Sequence, residues 1–345
     1  MVPPCFTRGD LIFIPVMTQL DLTTEQWLTG IRNGDRVLLS RAITLIESAV
    51  PAHREQALAL LSACYPLSGS AMRIGITGSP GAGKSTTIEN LGLQMLADNK
   101  KLAVLAVDPS SRISKGSILG DKTRMQQLSR EASVFIRPTA SGEHVGGVAA
   151  ATRETIILLE AAGFDTILIE TVGVGQGETA IYDMTDLFIL LLIPGAGDEL
   201  QGIKRGIMEL ADIILINKCD GDNVERAKLA AAEVRRAIHL FQSKTSEWPV
   251  CVELISGLEG RGIPELRHQI DKYFELTKHN GYLESNRIRQ RESWFQDQLH
   301  YAILRSVSEH PQYHEWLKSA EADIQTGQLL PSLAVHTLLK KLFQA

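Results

Sequence analysis

The segment from Gly78 to Ser85 constrains this chain more than any other part of it. It reads Gly-Ser-Pro-Gly-Ala-Gly-Lys-Ser and matches the phosphate-loop pattern G-x-x-x-x-G-K-[ST] at every required position. An apolar run from Arg73 to Thr77 precedes it, and a helical pattern from Lys84 to Leu96 follows it. This strand–loop–helix context distinguishes a phosphate-binding loop from a chance match. The sequence therefore predicts an α/β fold of the P-loop NTPase type.

Each part of this loop has a physical role in binding a nucleotide. The glycines let the backbone curl so that its N–H groups point at a phosphate, and the start of the following helix adds partial positive charge. We expect Lys84 to reach the β- and γ-phosphates and the Ser85 hydroxyl to bind Mg²⁺. The nucleotide-binding residues predicted in this segment are Gly78, Ser79, Pro80, Gly81, Ala82, Gly83, Lys84, Ser85 and Thr86.

A second motif, Asn217-Lys218-Cys219-Asp220, directly follows the apolar run from Ile213 to Ile216. A carboxylate at this place accepts hydrogen bonds from the N1–H and the 2-amino group of guanine, and adenine offers neither donor there. A site built around such bonds rejects the analogue that lacks them by roughly 10⁴-fold or more. Asp220 therefore predicts GTP as the nucleotide, with Asn217 and Lys218 bracing the loop and covering the face of the purine.

A third segment, Ser256-Gly257-Leu258, follows a strand-like run from Val250 to Ile255. Its position in the series suggests a contact with the guanine O6 atom. An ordinary turn between a strand and a helix is the alternative.

Two acidic residues, Asp108 and Glu170, each end an apolar strand-like run. Ligands of open parallel sheets lie at the carboxyl ends of the strands, so both carboxylates are expected to face Mg²⁺, directly or through water. The alternative for each is a helix cap or the start of a turn.

Glu170 also begins an acid-x-x-Gly element, in which the Gly173 N–H is expected to contact the γ-phosphate. The next residue is Val174, where Ras-like enzymes have a glutamine that orients water. Because valine cannot position water, we expect slow intrinsic hydrolysis that a partner or a dimeric contact accelerates. Gln176 is a possible substitute for the missing glutamine.

Strand-like runs alternate with helical segments, which predicts a mainly parallel sheet flanked by helices, with right-handed crossovers. The domain organisation predicted is a helical segment at 17–70, a P-loop domain at 71–280 and a helical segment at 281–345. The first segment is expected to hold two helical stretches, broken at Asn33-Gly34-Asp35. Residues 1–16 contain three prolines and look like an extension, with Met17 as an alternative start. The predicted strands are 73–78, 101–108, 134–139, 166–171, 187–194, 212–217 and 249–255.

The last segment carries an apolar stripe, Ile288, Phe295, Leu299 and Ile303. Packing of this stripe onto the sheet domain is one of two alternatives for it. The alternating arginines Arg287, Arg289 and Arg291 are expected to form a solvated face.

Taken together, these motifs resemble the ArgK/MeaB family of GTPases that accompany methylmalonyl-CoA mutase; older descriptions called such proteins LAO/AO transport ATPases or kinases. The resemblance runs from about Thr18 to the C-terminus and is carried by GSPGAGKST, VDPSS, GSILGDKTRM, ETVGVGQ, PGAGDELQGIK and NKCDGDN.

The resemblance implies a homodimeric G protein that gates the loading of adenosylcobalamin onto the mutase and protects the mutase. It also favours the second alternative for the apolar stripe, a dimer arm, which makes 281–345 a helical dimerisation segment. It places Asp121 in a first switch and Lys204 in a third, partner-responsive switch. The expected catalytic residues are then Lys84, Glu170 and Lys204. The expected Mg²⁺ ligands are Ser85, Asp108, Asp121 and Glu170.

Composition narrows the partners and the compartment. The net charge is −5 with no dense basic patch, so no nucleic-acid partner is expected. The longest apolar run, Leu187 to Ile193, is too short to cross a bilayer. Four cysteines without C-x-x-C spacing, and no signal sequence, favour the cytoplasm. The alternative functions are a P-loop kinase for a small molecule or protein, linked to amino-acid transport, and a binding module in which the nucleotide only stabilises a dimer.

Overall fold

The computed structural model describes residues 22–48, 50–96, 100–107, 125–139, 147–171, 178–195, 205–241 and 243–343. Within these ranges the chain forms one seven-stranded sheet with helices on both faces and a helical segment at each end. The predicted α/β fold with a parallel sheet is confirmed.

Every strand of this sheet lies within or beside a run predicted from the sequence, and every pairing between neighbours is parallel. The spatial order is β3-β2-β4-β1-β5-β6-β7. The strands are β1 Met72–Gly78, β2 Leu102–Val107, β3 Val134–Thr139, β4 Thr166–Thr171, β5 Leu187–Leu192, β6 Ile213–Ile216 and β7 Cys251–Leu254.

The central position of β1 places the phosphate loop. β1 lies between β4 and β5, with Ile76 opposite Glu170 and Gly78 opposite Leu191. Because all the strands are parallel, their carboxyl ends share one edge of the sheet. The loop after Gly78, the end of β4 and the loop after β6 therefore meet at that edge.

Helices cover both faces of the sheet, which explains why its strands are apolar on both sides. All six residues of β5 are buried, and Ile74 and Ile76 are fully buried in the core beneath α4 and α9. The flanking helices are α4 Lys84–Met95, α5 Gly147–Ala161, α6 Glu178–Tyr182, α7 Arg205–Leu210, α8 Val224–Ile238 and α9 Ile263–His279.

Three helices precede the sheet: α1 Thr24–Arg32, α2 Arg36–Ile46 and α3 Pro51–Cys64. The predicted break around Gly34 is present, and Asp35 caps α2 by accepting from the N–H groups of Val37 and Leu38. The sequence analysis expected only two helical stretches here. It missed α3, whose apolar pattern is weak although Leu60 and Cys64 are fully buried against the neighbouring helices.

A capping box formed by Thr23 and Gln26 begins α1, and its removal is expected to lower the stability of the protein. The Thr23 hydroxyl accepts from the Gln26 N–H at 3.2 Å, and the Gln26 side chain accepts from the Thr23 N–H at 2.9 Å. Thr23→Ala is expected to lower the free energy of unfolding by about 1 kcal/mol, because a backbone donor loses its acceptor. Urea denaturation measures the change. Thr29→Ala, on the exposed face of the same helix, serves as the control and should not destabilise the protein.

Three helices follow α9: α10 Tyr282–Ser308, α11 Tyr313–Gln325 and α12 Pro331–Phe343. The first turns of α10 pack on the sheet domain through Asn286, Arg287 and Gln290, all of which are buried. The expectation that Arg287 belongs to a solvated face is therefore wrong. None of the helices in the described ranges combines the length and the hydrophobicity that a bilayer-spanning segment requires.

The apolar stripe of α10 is largely exposed, from 41% at Leu299 to 62% at Phe295. Its packing onto the sheet domain, one of the two alternatives from the sequence, is therefore not observed.

Candidate nucleotide site

The loop between β1 and α4 has a backbone that its glycines make possible. Gly83 has a φ of +90° and is followed by Lys84, the first residue of α4. A Cβ atom at Gly83 would lie 2.4 Å from Nδ2 of Asn217. Both the left-handed conformation and the close contact require glycine here. The loop therefore curls tightly over the start of α4, as anion binding requires.

Lys84 lies inside this curl. It is only 6% exposed, and its ammonium group donates to the carbonyl oxygens of Gly78 at 2.9 Å and Ser79 at 3.1 Å. The Ser79 hydroxyl is buried and has no hydrogen-bond partner among the described residues. A buried ammonium group and a partnerless hydroxyl in one loop fit a phosphate group, which supplies several acceptor oxygens.

Ser85 and Glu170 lie together beside the loop. The Ser85 hydroxyl donates to Oε1 of Glu170 at 2.9 Å, and Glu170 is 6% exposed at the end of β4. One step further, the Thr171 hydroxyl donates to that of Thr77 at 2.9 Å, joining β4 to β1. Hard oxygen ligands of this kind, few in number, suit Mg²⁺, which keeps several waters. The other expected residues of this region, Asp108, Asp121, Gly173 and Lys204, lie outside the described residues, as do Val174 and Gln176.

Asn217 joins three loops with one side chain. Its Nδ2 donates to the Ala82 carbonyl of the phosphate loop at 2.7 Å, and its Oδ1 accepts from the Gly257 N–H at 2.9 Å. Its own N–H donates to Leu192 O at the end of β5. The Asn217 side chain therefore holds the loop between β1 and α4 to the Ser256–Leu258 loop.

The carboxylate of Asp220 is positioned by Ser256. The Ser256 hydroxyl, fully buried, donates to Oδ2 of Asp220 at 2.5 Å and also accepts from the Glu259 N–H. The sequence placed Ser256 near guanine O6 and gave no sign of this contact with Asp220. Lys218 (φ +60°) and Leu258 (82% exposed) present their side chains at the surface of the same loops.

Asn90 is a residue of this region that the sequence analysis missed. Its Nδ2 donates to Gly257 O at 2.7 Å and to Thr86 O at 3.3 Å, so it fastens the Ser256–Leu258 loop to α4. Nothing in the sequence distinguishes it from any other polar residue on a helix. Pro80 and Gly81 are exposed at the outer side of the phosphate loop.

Comparison with known proteins identifies the family. The model of the family described as "Methylmalonyl Co-A mutase-associated GTPase MeaB" matches residues 39–312. This range includes the whole sheet and every residue of the site described above.

Several named relatives match almost the whole chain. A probable GTPase of Mycobacterium tuberculosis is 46% identical over 93% of this chain and 95% of its own length. The GTPase ArgK of Escherichia coli is 41% identical over 92% and 96%. The mitochondrial methylmalonic aciduria type A homolog of Mus musculus is 42% identical over 92% and 79%.

A solved structure described as an LAO/AO transport system kinase has the same fold. It superposes with a TM-score of 0.74 and 35% identity, covering 94% of this chain and 98% of the other. The family model and the named relatives agree with the motifs from which the resemblance was first drawn. The chain is a GTPase that belongs to the MeaB family of methylmalonyl Co-A mutase-associated GTPases.

Proposed function

We propose that this protein binds GTP and Mg²⁺ at the edge of the sheet around Lys84 and Asp220, hydrolyses GTP slowly, and uses the cycle to assist and protect an adenosylcobalamin-dependent methylmalonyl-CoA mutase. One observation carries the nucleotide part of the proposal. Asp220, oriented by Ser256, is linked through Asn217 to the phosphate loop that contains Lys84. A guanine-selecting carboxylate and a phosphate-binding loop therefore form a single site.

The residues have distinct roles in this proposal. Lys84 exchanges the carbonyl oxygens of Gly78 and Ser79 for phosphate oxygens, and the loop N–H groups bind the same anion. Ser85 and Glu170 hold Mg²⁺, directly or through water, together with Asp108 and Asp121. When bound, the ion neutralises charge on the β- and γ-phosphate oxygens. The Gly173 N–H contacts the γ-phosphate, and Lys204 completes the charge stabilisation when the partner is bound.

The base is recognised by the second half of the site. Asp220 accepts from guanine, while the exposed Lys218 and Leu258 offer apolar stems that cover the two faces of the ring. The Ser256–Leu258 loop lies against the guanine O6 atom, and the bond from Asn90 to the Gly257 carbonyl holds that loop on α4.

The partner is inferred from the family. Its description names methylmalonyl-CoA mutase, and the mouse relative is named for methylmalonic aciduria. We further propose that the chain is a homodimer through residues 281–345. The exposed apolar side chains of α10 support this, since Phe295 and Leu304 are 62% and 68% exposed on one helix. The two preceding parts of the proposed organisation are the helical segment at 17–70 and the P-loop domain at 71–280.

We place the protein in the cytoplasm. Cys64, Cys219 and Cys251 are free thiols in the described part of the chain, which suits a reducing compartment.

A kinase reaction is the second candidate, because the solved structure with the same fold is described as a transport system kinase. Incubation with γ-labelled GTP and amino-acid or protein acceptors distinguishes the two. A labelled acceptor would favour the kinase, whereas release of inorganic phosphate alone favours the GTPase.

Turnover of the isolated protein is expected to stay below about 1 s⁻¹, because Val174 cannot orient the attacking water. Addition of a cobalamin-dependent methylmalonyl-CoA mutase should raise it at least tenfold. Phosphate release measured with and without the mutase provides the comparison. Lys84→Met should remove turnover in both arms, which shows that the activity belongs to this site. A rate that the mutase leaves unchanged would contradict the proposed partnership but not the GTPase activity.

A further inference from the structure

A cavity of about 240 Å³ lies between α5, α10 and the start of β1, away from the nucleotide site. Arg73 in its wall is the second residue of β1, and the phosphate loop begins at the last residue, Gly78. At about 3.3 Å per residue, the strand separates the two places by roughly 16 Å. The cavity is therefore not a part of the nucleotide site. Its polar wall includes Arg73, Arg153, Asp183, Arg287, Gln290, Arg291 and Trp294.

Three residues of this wall carry buried polar atoms that have no hydrogen-bond partner in the described part of the chain: Nε of Arg153, Oε1 of Gln290 and Nε1 of Trp294. The orientation of the Gln290 amide is fixed, because its Nε2 donates to Thr185 O at 2.7 Å. Arg153 and Gln290 are each more than nine-tenths buried. Buried polar groups in native proteins nearly always have partners, so two donors and one acceptor around one cavity suit a small polar ligand.

The arginines of the wall differ in how closely a carboxylate pairs with them. Arg73 forms two bonds with Glu160, at 2.9 and 3.0 Å, and Arg287 forms two with Asp186, at 2.6 and 2.8 Å.

Arg153 differs from these two arginines. It reaches Asp297 only at 3.5 Å, and that carboxylate is 64% exposed. Burial lowers the pKa of Arg153, against the opposing effect of Asp297 and Asp183. Arg291, the other cation of the wall, pairs with Glu284 at 2.9 Å and is about half exposed. Among the described cations of the wall, Arg153 is therefore the one that an anionic ligand would stabilise most.

We propose that this cavity binds a small carboxylate that carries a hydroxyl or amino group next to the acid. The carboxylate accepts from Arg153 and Trp294, and the neighbouring group donates to Oε1 of Gln290. The volume holds roughly eight water-sized groups, less than the pockets of drug-sized ligands, so the ligand is small. Ile156 and Met184 in the same wall accommodate a short aliphatic part.

Calorimetry on the full-length protein tests the site with four probes: lactate, alanine, propionate and inorganic phosphate. The three carboxylates share one carbon skeleton and differ only in the hydroxyl or amino group. Lactate or alanine is expected to bind at least tenfold more tightly than propionate and than phosphate. No binding by any probe at millimolar concentrations would mean that the cavity holds only water, and the proposal would be wrong. Equal binding of propionate, or tighter binding of phosphate, would also overturn it.

Two variants test whether the probes bind in this cavity. Arg153→Gln removes the charge, and Trp294→Phe removes one N–H donor while keeping an aromatic ring. Each is expected to weaken binding of the best probe at least tenfold. Arg305→Gln, at an exposed position of the same helix, is the control and should bind like the unmodified protein.

Retained GDP binding shows that each variant is folded, because the nucleotide site lies at the other edge of the sheet. If Arg153→Gln does not fold, Trp294→Phe decides the question alone. Unchanged probe binding by a folded cavity variant would refute the assignment.

Discussion

Replacing Asp220 by asparagine is expected to change the preferred base of this protein from guanine to xanthine. The two carboxylate oxygens accept from the N1–H and 2-amino donors of guanine. In asparagine an NH₂ group, which is a donor, replaces one of these two oxygens. Xanthine has a carbonyl at position 2, which accepts from that amide. Affinity for GDP should fall about 10⁴-fold, and affinity for xanthosine diphosphate should exceed it, because unpaired polar groups in a built site are costly.

Equilibrium binding of GDP, xanthosine diphosphate and ADP measures this change. The substitution is expected to change the base contact without moving the loop, because the Ser256 hydroxyl can still donate to the remaining side-chain oxygen at position 220. Asp222→Asn, two residues further on and exposed, removes the same charge without touching the base and should retain guanine preference. An Asp220→Asn protein that still prefers guanine, or an unmodified protein that binds ADP as tightly as GDP, would show that this carboxylate does not select the base.

Arg287→Ala is expected to destabilise the protein by about 3–5 kcal/mol, because it leaves the carboxylate of Asp186 buried without its cation. Asp186 is fully buried and accepts two bonds from Arg287 and one from the backbone N–H of Arg73, at 2.9 Å. Arg287 also donates to the carbonyl oxygens of Gly69 and Ala71. Although burial lowers the pKa of Arg287, its bonds to Asp186 and the charge of that residue outweigh the effect and raise the pKa.

Urea denaturation of the variant gives the loss in free energy of unfolding. Arg291→Ala, one turn further along α10, breaks an ion pair with Glu284 in which both side chains are about half exposed or more, and it should cost less than about 1 kcal/mol. The double variant Asp186→Asn with Arg287→Met should recover part of the stability, because no uncompensated charge remains. If Arg287→Ala and Arg291→Ala are equally stable, the buried pair of Arg287 and Asp186 does not hold α10 in place.

The sheet was predictable because each of its strands leaves a clear record in the sequence. A parallel strand with helices on both faces must be apolar throughout, as β5 shows, and turn residues or glycines end each run. The phosphate loop was predictable because its backbone conformation requires glycines such as Gly83, whose position next to Asn217 admits no side chain.

The contacts that hold the site together were not predictable in the same way. Asn90 and Ser256 are ordinary polar residues in the sequence, and their partners lie 167 and 36 positions away. Arg287 was expected in solvent because it alternates with two further arginines, Arg289 and Arg291. Its burial depends on Asp186, 101 positions away, and no local pattern records that separation. Helix α3 was missed for a related reason. Its apolar residues do not form a clear stripe in the sequence, and they are buried only because other helices pack against them.

The anchoring of α10 at one end has a mechanical consequence. The helix has 27 residues, and its buried positions are confined to Asn286, Arg287 and Gln290 near its start. From Arg287 to Ser308 it extends about 32 Å at 1.5 Å per residue. The anchor bonds reach Thr185 and Asp186, just beyond α6. A tilt of about 5° at this base would swing the far tip through roughly 3 Å, so a small rearrangement near α6 would become a larger displacement at the far end of α10.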